Sequence, residues 1–80
     1  MEKEELYGKM LVFLKKALAN QDAEIDPDEP MADQGLSSSG RLELFTMCED
    51  EWDLFFDEDE RDEVVTFTEA VDLVKKMMSE

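Results

Sequence analysis

Histidine is absent from this chain, and its absence removes the His-dependent catalytic triads, the commonest general base and the commonest zinc ligand. A single cysteine, Cys48, excludes an internal disulfide and a metal site built on thiolates. No uninterrupted apolar run approaches the roughly 20 residues that span a bilayer. The first residues, Met-Glu-Lys-Glu-Glu, carry acids where a signal peptide needs net positive charge, so the expectation is a cytoplasmic protein. Positive charge is itself scarce. Eight bases stand against 23 acids, a formal net charge of −15. Such a chain repels nucleic acid and anionic lipid headgroups and attracts basic protein patches.

What remains is enough for one small domain, residues 1–80, with 42% apolar residues to build a core. A domain of this size buries only about 60% of the surface its unfolded chain exposes, so its margin of stability is thin. The charge is uneven. Glu2, Glu4 and Glu5 nearly balance Lys3, Lys9, Lys15 and Lys16, and the excess of acid lies beyond residue 20.

Leu6, Met10, Phe13, Leu14, Ala17 and Leu18 recur at helical spacing and predict an amphipathic helix from about Glu4 to Ala19, weakened slightly by Gly8 and ended by Asn20-Gln21-Asp22. Residues 21–37 show no sustained period and contain Pro27, Pro30 and Gly35. They read as a long loop pinned by Ile25, Met31 and Leu36. Leu42, Phe45, Cys48 and Trp52 form the stripe of a second helix, Ser38 to Asp53, widened by Leu44 and Met47. Leu54-Phe55-Phe56 is a short apolar connection, and Asp57 to Glu63 supports at most one or two exposed helical turns. Thr66-Phe67-Thr68-Glu69 is a capping box opening a last helix, whose stripe is Phe67, Ala70, Val71, Val74 and Met78. No strand pattern emerges. Phe13, Phe45, Trp52 and Phe67 read as core, and Cys48 as a small buried hydrophobe.

The segment Asp26-Pro27-Asp28-Glu29-Pro30 through Gly35-Leu36-Ser37-Ser38-Ser39 and Leu42-Glu43-Leu44 resembles the core of an acyl carrier protein, its proline loop being most like that of polyketide-type carriers. The similarity continues through Glu49-Asp50-Glu51-Trp52-Asp53 and Val64 to Val71, whereas residues 1–24 match only in helical character and length. In that family a Gly-hydrophobic-Asp-Ser-Leu motif opens the second helix. The resemblance therefore implies an all-α, small four-helix bundle with a long loop between helices 1 and 2 and a short acidic helix 3. It also implies a covalent 4′-phosphopantetheine, taken from coenzyme A, on Ser38. Two positions depart from the motif: Ser37 stands for the Asp and Ser39 for the Leu, both of which ordinarily help the phosphopantetheinyl transferase grip its site.

A serine triplet alone reads as an N-cap cluster. Joined to Gly35, Leu36, the prolines and the downstream pattern, Ser38 reads as an attachment point, where unpaired amides and a helix dipole favour a phosphodiester. Glu43, Met47, Glu49 and Asp50 are the candidate partner-binding residues, suited to basic patches on acyl-transferring or synthase enzymes of fatty acid or polyketide-type biosynthesis. Met47 is open between core and contact. The expected protein is a monomeric carrier and not an enzyme, with no metal, no nucleic acid and no membrane. Residues 57–63 lack the spacing and central glycine of an EF-hand. The rival expectation is an acidic adaptor that occupies a basic protein surface without a prosthetic group. A hydrolase using Ser38 has no base to call on.

Overall fold

Four helices and one short 3₁₀ helix account for the secondary structure of a computed structural model that describes residues 2–20 and 22–78: α1 (Lys3–Ala17), the 3₁₀ helix (Met31–Gln34), α2 (Ser38–Trp52), α3 (Glu58–Glu63) and α4 (Phe67–Met78). The protein is an all-α bundle with no strand among the described residues. The one ladder-type contact among the described residues is an isolated bridge between Pro30 and Thr66. The radius of gyration is 11.4 Å, against about 11.6 Å expected for a compact chain of this length. No helix among the described residues is long and apolar enough to cross a membrane.

Helix α1 packs on both α2 and α4. It contributes Leu6, Met10 and Leu14, one side chain per turn, to a core completed by Leu44, Phe45 and Cys48 of α2 and by Phe67, Ala70, Val71 and Val74 of α4. Aromatic pairs mark the seams. Tyr7 meets Phe67 edge-on at 5.0 Å between centroids, Phe45 meets Phe56 at 5.1 Å, and Phe13 leans on Trp52 at 5.7 Å. Such pairs add about 0.5–1.5 kcal/mol each beyond the area they bury. Of the four aromatics expected in the core, Phe45 and Phe67 are fully buried, while Phe13 and Trp52 sit at its edge.

Two expectations are corrected. Leu42 is not part of the buried stripe of α2: it is 53% exposed, and Leu44 takes the core position, because α2 turns the 44–45–48 side toward α1. Helix α1 ends at Ala17, two residues early, because Ala19 adopts the left-handed conformation (φ 56°). The amides of Ala19 and Asn20 then return to the carbonyls of Lys16 and Lys15, closing a Schellman motif. Asn20 Oδ1 accepts from the Asp22 amide. The middle residue of the expected Asn20-Gln21-Asp22 stop, Gln21, lies outside the described residues.

The loop from 22 to 37 is held at three levels. Internally, Gln34 acts as a brace: its side-chain amide donates to the carbonyls of Asp26 (2.8 Å) and Glu29 (3.2 Å), and its Oε1 accepts from the Asp26 amide (2.8 Å). Below, Met31 and Leu36 are buried in the core, with Ile25 packed against it. Laterally, the Met31 amide donates to Val65 O (3.0 Å) and the Thr68 amide donates to Pro27 O (3.1 Å). The last bond satisfies one of the orphan donors of α4's first turn. The expected capping box completes that turn: Thr66 Oγ1 accepts from the Glu69 amide, and Glu69 Oε1 accepts from the amides of Thr66 and Val65. These bonds, the Thr66 amide first and the Val65 amide next, hold the Glu69 carboxyl below its ordinary value. A second capping box, Asp57 with Glu60, opens α3.

Candidate functional site

The start of α2 is fixed by three consecutive residues with different tasks. Gly35, at φ 101°, makes the left-handed turn that ends the 3₁₀ helix, a conformation unfavourable for any residue with a Cβ. Leu36 follows into the core. Ser37 is the N-cap, its Oγ accepting from the Gly40 amide at 3.0 Å while its carbonyl takes the Arg41 amide. Ser38 is therefore the first helical residue, and it is exposed. Its hydroxyl makes no hydrogen bond with any described residue, and the amides of Ser38 and Ser39 are likewise unpaired. A hydroxyl and two N–H groups thus share the positive end of a fifteen-residue helix that has no acid in its first turn.

Gly40 allows this start to sit close to α1. A methyl group added there would lie 2.8 Å from Leu36 Cδ1 and 3.2 Å from the Ala17 carbonyl. The N-terminal turn of α2 is wedged against the last turn of α1, with no room for a larger residue.

Two clefts flank Ser38, separated by the exposed Leu42, which borders both. The first, about 490 Å³, runs between α1 and α2 and is lined by Lys16, Ser39, Leu42, Glu43, Thr46 and Met47. The second, about 240 Å³, lies between α2 and α3. Ser38, Arg41, Leu42 and Phe45 line one side, and Glu58, Arg61 and Asp62 the other. The Arg41 guanidinium donates to the Arg61 carbonyl, and its carbon lies 5.9 Å from the centre of the Phe45 ring. This contact fastens the end of α3 to the beginning of α2.

The four candidate partner residues separate. Glu43 and Met47 are brought together on the first cleft beside Ser39. Met47 is half-buried, lining the first cleft and not among the residues of the core cluster. Asp50 is exposed one turn further on. Glu49 is committed elsewhere: its Oε2 accepts from the Phe56 amide at 3.0 Å, bracing the connection from α2 to α3. Sequence reasoning missed Arg41, Arg61 and Gln34. Their importance depends on which backbone carbonyls and side chains the fold brings near them, and no periodicity encodes that.

Cys48 is fully buried, and burial, with the Glu49 charge adding to it, pushes its thiol up to about 12. The thiol stays protonated and inert at neutral pH. Among the described residues no group of carboxylates or thiols is disposed to hold a metal ion. Neither a comparison with models of known protein families nor a search of curated proteins gives a match to this chain.

Proposed function

We propose that the protein is a carrier whose Ser38 bears a 4′-phosphopantetheine arm and presents acyl intermediates to enzymes of fatty acid or polyketide-type biosynthesis. The observation that carries this reading is the state of Ser38: an exposed, uncommitted hydroxyl at the first position of α2, beside the free amides of Ser38 and Ser39. Those residues fit a phosphodiester, since a helix start offers N–H donors and positive potential to an anion. When bound, the group supplies a flexible thiol that holds cargo as a thioester.

In the loading step the Ser38 oxygen attacks the pantetheine-bearing phosphorus of coenzyme A within the transferase. A new O–P bond forms, the diphosphate P–O bond breaks, adenosine 3′,5′-bisphosphate leaves and the hydroxyl proton passes to the transferase's base. The chain's own part is to hold that oxygen in the open. Ser37 does this by taking the capping role, which leaves Ser38 free of it. Partner enzymes with basic patches meet Glu43, Met47 and Asp50; Glu49, bonded to the Phe56 amide, serves the scaffold.

The reading is tested by incubating the protein with coenzyme A and a promiscuous phosphopantetheinyl transferase, followed by intact-mass measurement. One adduct is expected, retained in Ser37→Ala and Ser39→Ala and lost in Ser38→Ala. Failure to load with a broad panel of transferases refutes the carrier and leaves the acidic adaptor.

A further inference from the structure

Ser39, the residue after the attachment serine, lines the cleft between α1 and α2, so a protein that reaches Ser38 from that side covers the cleft as well. Its two walls differ in sign. Lys16 stands on the α1 side and Glu43 on the α2 side, and both are exposed. Neither side chain makes an ion pair with any described residue. Leu42, 53% exposed, and the half-buried Met47 supply apolar lining. An unpaired cation and an unpaired anion on one apolar-lined cleft complement a protein segment that carries an apolar side chain, an acid and a base. A nucleic acid or an anionic lipid headgroup offers only anions and meets repulsion at Glu43.

Lys16 is the informative member. A chain of net charge −15 already draws basic surfaces. A docking face that worked by negative charge alone would improve if this cation were replaced by an acid. We infer that the phosphopantetheinyl transferase docks on the α1–α2 cleft and is read there by both signs. An acid of the transferase meets Lys16, a base meets Glu43, and an apolar side chain covers Leu42 and Met47. The inference rests on the carrier reading above. To a docking surface of α2 residues it adds helix α1 and a positive charge, which makes Lys16 a specificity-determining residue.

The test uses whichever transferase of the panel loads the protein fastest, with kcat and KM measured by intact mass at one low ionic strength. Wild type is compared with Lys16→Glu, Lys16→Gln, Lys16→Arg and Lys9→Glu. Lys9 is exposed on α1 and does not line the cleft, so Lys9→Glu makes the same change of charge away from it. Lys16→Glu should raise KM roughly three- to tenfold with kcat unchanged. Lys16→Gln should fall between, Lys16→Arg should match wild type, and Lys9→Glu should leave KM unchanged or lower it. Lys16 also lies in the last turn of α1, where the helix dipole favours a cation. Melting curves therefore accompany the kinetics, and if Lys16→Glu melts low, the Gln and Arg variants decide. Equal KM values in Lys16→Glu and Lys9→Glu, or in Lys16→Gln and Lys16→Arg, overturn the inference and leave the carrier intact. Absence of any adduct instead refutes the carrier, and the inference with it.

Discussion

The two alanine substitutions Gly8→Ala and Gly40→Ala form a matched pair that isolates one steric contact. Both glycines lie inside helices, Gly8 in α1 and Gly40 in the first turn of α2. Replacing either by alanine removes the backbone-entropy penalty of glycine, a gain of about 0.5–1 kcal/mol. At Gly8 nothing opposes the gain, since a methyl there meets no atom within 4 Å. At Gly40 the methyl lies 2.8 Å from Leu36 Cδ1, 3.2 Å from the Ala17 carbonyl and 3.4 Å from Ser37 Oγ. The Leu36 side chain is buried and the Ala17 carbonyl is backbone, so neither yields cheaply. Overpacking of this kind costs about 1–3 kcal/mol. Gly8→Ala should therefore melt above wild type and Gly40→Ala below it, by circular dichroism in matched buffer. For a domain of this size the two should differ by about 4–8 °C per kcal/mol. A Gly40→Ala protein as stable as Gly8→Ala would show that the end of α1 and the start of α2 do not approach as described.

Residues 49–63 hold ten acids against one arginine, so added NaCl or millimolar Mg²⁺ should raise the melting temperature by screening their repulsion; an unchanged or lower midpoint refutes a significant role for that repulsion. The Cys48 thiol is raised in the folded state, to about 12 from 9.0, so its contribution is complete below pH 9 and is lost as pH rises from 9 toward 12. Between pH 8 and pH 10, wild type should lose about 1.4 kcal/mol more than Cys48→Ala in urea unfolding, and equal losses would contradict the burial of that thiol. Glu69 is shifted the other way, so the stability it contributes is present above the ordinary glutamate value and disappears as pH falls through its lowered folded value. Its carboxyl should titrate below that ordinary value by carbon-detected magnetic resonance, and Thr66→Ala, which removes the hydroxyl cap, should cost about 0.5–2 kcal/mol.

The positions of α1, α2 and α4 were legible in the sequence because each of them meets the core on one side, whereas α3 buries no residue and is marked only by its run of charge. The stripe Leu6-Met10-Leu14 and the Thr66–Glu69 box needed no knowledge of the rest of the chain. Leu42 was misjudged for the same reason. Spacing alone admits Leu42 or Leu44 beside Phe45 and Cys48, and only the contact with α1 selects Leu44. The helical register of Ser38 was legible too, since Gly35, Leu36 and a serine cap are local signals. The cleft was not. It depends on α3 arriving beside α2, a tertiary event fixed by the burial of Phe56, the bond from its amide to Glu49 and the contact between Arg41 and the Arg61 carbonyl. The aromatic pair Phe55-Phe56 shows the same limit. The connection buries Phe56 completely and leaves Phe55 73% exposed, a division that composition does not reveal.

The bonds from Met31 to Val65 and from Thr68 to Pro27 join segments 34 and 41 residues apart and leave neither free to open alone. Amide hydrogens on both sides should exchange with solvent at a common rate, as one cooperative unit. Because the same loop runs directly into Gly35 and Ser37, fraying at the head of the last helix would be felt at the serine as a loosened hinge.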